Sequence, residues 1–428
     1  MSIEKTLEYI HKTKWLGSKP GLSRTFTLLE KVGRPDRKLK FVHVVGTNGK
    51  GSTCAILSSV LQNAGYKVGL YTSPYINCFN ERMRVNGQNI SDNELCELVD
   101  FIRPLADSMT DDAPTEFEMI TVLAMEYFAR QKCDIVVLEA GMGGELDSTN
   151  VIDSPECAVM CAIGLDHVNV LGKSVEEIAK TKSGVIKSKT SVAMYDAQQS
   201  VYDTVKARCN EVGAKLVTAD FYNISNVRTD IEKTVFDYGE YKNLEIHLAG
   251  VYQKYNAALA VTAVKELRQK GWNISDEAIY KGLSRAVWQG RFEILGKAPL
   301  FVLDGAHNVH GMTATRDSLK THFPDTKIHF VVGAMADKDV EGMMSLIVPM
   351  AERVYAVSPD NDRAMSAKDL CKLLQKLGAD AVFCDSIEEA VWLAIENAGQ
   401  SGVVAALGSL YFSGDIRRAY NKITGRNV

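Results

Sequence analysis

The chain lacks any run of about 18 uncharged apolar residues, the length that a membrane-spanning helix needs. Its start, Met1-Ser2-Ile3-Glu4-Lys5, lacks the basic stretch and apolar core of a secretory leader. Neither sign of charge dominates: 49 Lys and Arg stand against 53 Asp and Glu, interspersed, for a net charge of −4. That balance leaves no footprint for nucleic acid or a membrane surface. Nine cysteines are scattered without a Cys-x-x-Cys pair, which argues against a disulfide framework or zinc site and for buried, reduced thiols. No internal repeat, low-complexity tract or Asn-Lys-x-Asp guanine-reading motif is present. These absences leave a cytoplasmic globular protein, 46% apolar and 24% charged. At 428 residues it is too long for one ordinary core.

The most informative stretch present runs His43-Val44-Val45-Gly46-Thr47-Asn48-Gly49-Lys50-Gly51-Ser52-Thr53. An apolar strand enters a glycine loop, and a helix with Ile56, Leu57, Val60 and Leu61 on one face follows. Such a loop turns backbone N–H groups onto phosphate oxygens beside the positive end of the helix, while Lys50 adds a point charge and Ser52 a hydroxyl for Mg²⁺. The spacing departs from an ordinary P-loop, which has four residues between its first glycine and the Gly-Lys pair and Ser/Thr straight after the lysine. Here two residues separate Gly46 from Gly49, and Gly51 precedes Ser52.

Other candidate positions sit where strands end. Residues 72–84 keep no period and follow a strand predicted at 67–71, the edge at which open α/β sheets bind ligands. Ser91-x-x-Glu94, Thr115-x-x-Glu118 and Ser174-x-x-Glu177 open helices. A strand at 134–138 delivers Glu139 into Ala140-Gly141-Met142-Gly143-Gly144, an acidic strand end of the kind that holds Mg²⁺ in nucleotide sites. Another at 158–163 leads to Asp166-His167, where His167 is either a metal ligand or a satisfied loop histidine. Helical spacing covers roughly the first fifteen residues and is expected to end at Gly17 to Pro20. Antiparallel hairpins are expected over 227–248 and helices over 253–270 and 275–286. A change of texture at Val287-Trp288-Gln289-Gly290-Arg291-Phe292-Glu293 marks a linker. Beyond it, strands at 300–303, 327–332, 353–357, 381–384 and 403–407 alternate with helices. The expected domains are 1–287 and 288–428.

Taken in order, several motifs make a recognisable set: Gly46-Thr47-Asn48-Gly49-Lys50-Gly51-Ser52, Thr72-Ser73-Pro74 with Phe79-Asn80-Glu81-Arg82, and Glu139 with Gly141-Met142-Gly143-Gly144 and Leu146-Asp147-x-Thr149-Asn150. Leu165-Asp166-His167, Trp288-x-Gly290-Arg291-Phe292-Glu293 and Asp304-Gly305-Ala306-His307-Asn308 complete it. Together they resemble the folylpolyglutamate synthase/dihydrofolate synthase family of the Mur ligase superfamily over roughly residues 20 to 310. The resemblance implies an α/β fold: an N-terminal P-loop-type ATPase domain with a mainly parallel sheet plus antiparallel hairpins, and a C-terminal Rossmann-like α/β glutamate ligase domain. It implies ATP- and Mg²⁺-dependent joining of L-glutamate to dihydropteroate or a reduced folate through an acyl phosphate. Two Mg²⁺ ions and a monovalent cation such as K⁺ would assist, in a monomer with no nucleic-acid or membrane partner.

Carried over residue by residue, Gly46 to Thr53 (Gly46, Thr47, Asn48, Gly49, Lys50, Gly51, Ser52, Thr53) would hold the phosphates, with Ser52 and Glu139 on one Mg²⁺. His167 would help to hold a second ion beside Lys182, the place where the family carries a carbamylated lysine; a carbamate attracts the ion that an ammonium would repel. Asn256, Arg291 and Asp304 would contact ATP, and His307 would lie by the acyl phosphate. Lys50, Lys182, His167 and His307 are thus the candidate catalytic residues. Ser73, Pro74, Arg82 and Phe117 would line the pterin pocket, Phe117 being either an aromatic face or plain core. Met142, Glu145, Gln289 and Tyr75 stand where the family more often has leucine, arginine, proline and histidine, departures that bear on pterin preference more than on the reaction. A muramyl-peptide ligase shares the loop but carries a nucleotide-sugar domain before it, and only 45 residues precede Gly46 here. A nucleotide-gated binding protein without ligase activity is the other alternative, and Glu139, His167 and Lys182 together favour catalysis over it.

Overall fold

The computed structural model describes residues 1–12 and 21–426. The first helix spans Ile3–Lys12; its expected stop at Gly17 to Pro20 lies outside the described residues. Two compact units result, one of Met1–Ile224 with Tyr255–Ala286 and one of Ser225–Lys254 with Val287–Val428. No helix among the described residues is long and apolar enough to cross a membrane.

The first unit is built on β1 (Phe41–Val45), β2 (Val68–Tyr71), β3 (Met83–Val85), β4 (Gln88–Asn89), β5 (Ile135–Glu139), β6 (Cys157–Met160), β7 (Ser191–Met194) and β8 (Lys215–Thr218). Their order in the sheet is β4-β3-β2-β5-β1-β6-β7-β8. All pairings are parallel except β2–β3 and β3–β4. Phe-Val-His-Val-Val in β1 and Ile-Val-Val-Leu-Glu in β5 are apolar on both faces, and every residue of the two strands is buried, as central parallel strands covered by helices must be. Parallel running brings the ends of β1, β2, β5, β6 and β7 to one edge, where the candidate residues lie. The loop expected over 72–84 is shorter than it reads in sequence: Phe79–Arg82 forms a 3₁₀ turn and β3 pairs with β2. Three residues are too few to show a period.

Helix starts follow the polar signals. Ser91 and Thr115 accept from the N–H of Glu94 and Glu118, whose carboxylates return the bond. At Ser174 the reciprocity shifts by one residue, because the Glu177 carboxylate takes the Lys173 N–H at 2.6 Å.

The second unit contains a three-stranded sheet of β9 (Ile224–Thr229), β10 (Thr234–Tyr238) and β11 (Tyr241–Ile246), ordered β11-β10-β9. It also contains a six-stranded sheet of β12 (Glu293–Lys297), β13 (Leu300–Leu303), β14 (Ile328–Val332), β15 (Ala351–Ala356), β16 (Ala381–Phe383) and β17 (Val403–Leu407), ordered β12-β13-β17-β14-β15-β16. Only β12 runs antiparallel in that sheet. Apolar clusters pack on it around Phe330 and Val332, and around Phe301 and Val331.

The break at Ala286/Val287 falls one residue from the boundary drawn in sequence, but residues 225–254 group with the second unit rather than the first. Ala249 belongs to the apolar cluster of Phe292 and Val302, and His322 Nε2 donates to Ala249 O at 2.9 Å. A boundary drawn along the chain as one cut has no means of registering such an excursion.

In the first unit the helix Asp276–Arg285 lies directly on the helix Lys50–Asn63 that follows the glycine loop: a Cβ on Gly282 would overlap the Cα and N of Val60. Backbone atoms cannot rotate away. Gly282→Val should therefore lower stability by about 2 kcal/mol, read as a lower urea midpoint; an unchanged midpoint would refute the close approach.

Candidate active site

Gly46 and Gly49 have positive φ, 154° and 85°, and neither has room for a side chain. A Cβ on Gly46 would lie 2.6 Å from the Cβ of Cys161, and one on Gly49 2.6 Å from Oδ1 of Asn256. The loop is wedged between the end of β6 and Asn256. Thr47 and Asn48 both donate their N–H to Ala162 O, at 2.8 and 3.2 Å. The Thr47 hydroxyl donates to Gly164 O at 2.9 Å and accepts from Gly164 N at 3.1 Å. Thr47 thus latches the loop to the sheet, and its N–H and that of Asn48 do not face a phosphate as the sequence suggests. The donors left for an anion would be those in the first turn of the helix Lys50–Asn63, which a helix cannot satisfy internally. Thr53 turns inward: it is fully buried, and its hydroxyl accepts from Cys161 Sγ at 3.5 Å.

Two lysines meet at this loop. Lys50 Nζ folds back to donate to Gly46 O at 3.1 Å and Thr47 O at 3.2 Å. Lys182, from the helix Val175–Ser183, donates to the same Gly46 O at 2.9 Å. Gly144 permits this approach, since a Cβ there would lie 2.6 Å from Lys182 O. Lys182 is 3% exposed. Desolvation, and then the charge of Lys50, push its pKa down to about 7 against the pull of Asp166 and Asp147.

Glu139 closes β5 beside Val44, and its Oε2 accepts from Ser73 N at 3.1 Å. Beneath the loop, burial pushes the Cys161 thiol up to about 12, and that thiol lies in the fields of Lys50, Glu139 and Lys182. Among the described residues no three His, Cys, Asp or Glu side chains converge as a metal cage. Mg²⁺ needs none, because it takes one or two protein oxygens and completes its shell with phosphate and water. Ser52 and Glu139, buried oxygen donors beside the loop, fit that ion. Lys182 in its amine form, donating to Gly46 O, does not fit a metal. His167 sits on the rim with a left-handed φ of 49°, its N–H on Asp166 Oδ1 at 2.8 Å and its side chain 37% exposed.

Three residues given no role from the sequence form a buried relay under the site. Thr149 donates its hydroxyl to Asp147 Oδ1 at 2.5 Å, so the Thr149 hydroxyl oxygen accepts from His43 Nε2 at 2.8 Å. That fixes the tautomer and leaves Nδ1 as an orphaned acceptor in the core. Burial accordingly holds the His43 pKa down to about 3. Asp147 Oδ2 accepts from Met142 N at 2.7 Å, so the relay grips the glycine loop after Glu139. A histidine in an otherwise apolar strand was the signal available in the sequence.

The 72–84 segment is ordered by Glu81, which accepts from Ile76 N and Asn77 N at 2.9 and 3.2 Å. Arg82 lies over the rings of Tyr75 and Phe79, 5.3 and 5.7 Å from their centroids. Ser73 and Pro74 follow the end of β2, next to Glu139. Phe117 is partly buried and presses on Gly141, where a Cβ would overlap its ring. It is thus a packing element with an edge left to solvent.

In the second unit Asp304 is a keystone. Its Oδ1 accepts from Ala306 N at 2.8 Å and the Thr315 hydroxyl at 3.0 Å, its Oδ2 from Phe292 N at 2.7 Å and the Tyr252 hydroxyl at 3.3 Å. Burial raises its pKa, with Arg291 pulling the other way. Arg291 lies against Gly305, whose Cβ would sit 2.6 Å from Arg291 Nη1. His307 Nδ1 donates to Gly305 O at 2.9 Å, which makes Nε2 the basic nitrogen of the neutral ring.

The Mur ligase middle domain matches residues 44–264, and the Mur ligase glutamate ligase domain residues 290–410. Over 425 residues the chain is 36% identical to the dihydrofolate synthase/folylpolyglutamate synthase of Bacillus subtilis (strain 168), covering 96% of this chain and 97% of that one. The chain belongs to the folylpolyglutamate synthase/dihydrofolate synthase family. Folylpolyglutamate synthase from Thermotoga maritima superposes with a TM-score of 0.85 at 30% identity, covering 99% of this chain and 97% of that one. Escherichia coli FolC in complex with DHPP and ADP gives 0.87 at 28% identity, covering 100% and 98%.

For a synthase of this family Lys50 is the group free to leave its own loop carbonyls and meet an incoming polyanion, since Lys182 is held in the interior. Lys50→Ala should cut turnover by about 10²–10³-fold with an unchanged melting temperature. Retained turnover would remove this lysine from the mechanism.

Proposed function

We propose that this protein joins the amine of L-glutamate to a carboxylate of a folate or pteroate, using ATP to form an acyl phosphate first. The observation that carries this reading is the meeting of Lys50 and Lys182 on Gly46 O, with Glu139 at the end of the strand next to β1, in a chain aligned end to end with a dihydrofolate synthase/folylpolyglutamate synthase. An anionic carboxylate must approach an anionic γ-phosphate, so positioning and charge neutralisation do most of the work. Lys50 and the first-turn N–H groups of its helix receive the phosphates. Ser52 and Glu139 would hold Mg²⁺, which supplies further neutralisation of the phosphate oxygens. Attack by the pterin substrate's carboxylate on the γ-phosphorus releases ADP. The glutamate amine then adds to the acyl carbon, and phosphate departs. His307 belongs to the glutamate end, Arg82, Ser73, Pro74 and Phe117 to the pterin end, and Asn256, Arg291 and Asp304 to the nucleotide. A second Mg²⁺ near His167 and a K⁺ ion complete the proposal, for a cytoplasmic monomer whose nine unpaired cysteines suit a reducing compartment.

Phosphate release from Mg·ATP should rise when glutamate is supplied with dihydropteroate or tetrahydrofolate, with the product one glutamate heavier by mass; no response to either acceptor defeats the assignment. Lys182 should carry a carbamate. Its amine, with a pKa of about 7, is an ammonium without a lone pair below that pH and a neutral nucleophile above it, adding to CO₂ with loss of one proton. A ¹³C resonance from labelled bicarbonate should therefore grow between pH 6 and 8 and be missing from Lys182→Arg. Persistence of the signal in the variant, or no signal in the parent protein, contradicts the modification.

A further inference from the structure

In the second unit the helix Val309–His322 buries a face that is half polar: Met312, Thr315, Ser318 and Leu319. A hydroxyl inside a helix is ordinarily spent on the carbonyl four residues back. Ser318 does donate to Ala314 O, at 2.8 Å, but its oxygen also accepts from Val251 N at 3.1 Å. One turn on, His322 Nε2 donates to Ala249 O, and its ring centroid lies 5.5 Å from that of Phe292. Thr315 reaches furthest. Its hydroxyl lies 3.2 Å from Gly311 O and 3.0 Å from Asp304 Oδ1, with one proton for two acceptors. A carboxylate is the stronger acceptor, so the proton goes to Asp304.

That carboxylate connects two loops. A carboxylate offers about four lone-pair directions; here Oδ1 takes Thr315 and Ala306 N, and Oδ2 takes Phe292 N and the Tyr252 hydroxyl. Two of the donors adjoin candidate site residues, since Ala306 precedes His307 and Phe292 follows Arg291. Phe292 is buried at a φ of 49°, a left-handed backbone that a bulky residue keeps only when its surroundings hold it there. The 2.7 Å bond from its N–H to Asp304 is such a hold. A rotation of the carboxylate would release the neighbours of Arg291 and His307 at once. Thr315 is the only side chain on Oδ1, and it comes from a helix, so it is the rigid member of the set.

We propose that Thr315 is a positioning residue for the ligation: its hydroxyl fixes the rotation of the Asp304 carboxylate and, through it, the placement of Arg291 and His307. This rests on the reading of Arg291 as a nucleotide contact and of His307 as part of the glutamate end. Thr315 is itself shut off from solvent, so it acts on the substrates only through Asp304. Its loss should therefore be felt toward ATP and glutamate together, and not toward the pterin substrate.

Steady-state kinetics of the full chain, with dihydropteroate or tetrahydrofolate as acceptor, separate this role from plain packing. Thr315→Val keeps the shape and removes the hydroxyl; kcat/KM for ATP and for glutamate should each fall about tenfold, with KM for the acceptor unchanged. Thr315→Ser keeps the hydroxyl and loses a methyl group, and should work as the parent does. Equal losses in the two variants, or a fall in kcat with every KM unchanged, would mean that the side chain only packs; parental kinetics in Thr315→Val would mean that the hydroxyl has no role. Any of these overturns the proposal. Should Thr315→Val not fold, Tyr252→Phe removes a donor from the other oxygen of Asp304 and should raise KM for ATP severalfold, an unchanged KM refuting the proposal. Parent protein that forms no product with either acceptor would instead overturn the ligase reading itself.

Discussion

The carbonyl oxygen of Gly46 accepts from both Lys50 and Lys182, and much of the first unit is what it takes to bring two amines to one backbone oxygen. Gly46 must lack a side chain to lie on Cys161, and Gly144 must lack one to let the Lys182 helix approach. Two ammonium groups cannot share a dry site without cost, so one must give up its proton readily. Burial selects Lys182, which comes from the interior, and leaves Lys50 at the surface of the loop. A single carbonyl oxygen thus receives two chemically identical side chains from different surroundings.

Buried carboxylates support this arrangement in each unit. Asp147 and Asp304 are both desolvated, with carboxyl pKa values raised by burial. Each is compensated by donors that fix a loop at a strand's end: Met142 N, Thr149 N and the Thr149 hydroxyl for Asp147, Ala306 N, Phe292 N, Thr315 and Tyr252 for Asp304. An acceptor with several converging N–H donors is costly to leave unpaired and so enforces one loop conformation. Glycine loops, which have little rigidity of their own, are held by these carboxylates.

Many of the strands were legible from their apolar runs: β1, β5 and the strands from β13 onward follow from such runs bounded by glycine or polar residues. β12 was not, since its five residues include Gly296 at a register shift and read as linker. The β3–β4 hairpin was hidden by its length, and residues 225–254 by the fact that unit membership is a matter of packing, not of order along the chain. Among the candidate residues named from motif and position, Lys50 and Lys182 meet on Gly46 O, and Glu139 ends the strand next to β1. Thr47 and Thr53 were grouped with the phosphate contacts because they stand in the same motif, yet Thr47 is spent on Gly164 and Thr53 on Cys161. Adjacency in a loop does not say which way a side chain turns.

That last point also explains the loop's short spacing. An ordinary P-loop wraps its phosphate with residues of its own, and needs four between its first glycine and the Gly-Lys pair to do so. Here Thr47 and Asn48 give their N–H groups to Ala162 O, and the Thr47 hydroxyl grips Gly164. Those bonds hold the loop to the end of β6, so the chain reaches its helix after two residues instead of four. The shortened spacing thus goes with a second lysine on the loop, since Lys182, more than a hundred residues away, shares Gly46 O with Lys50.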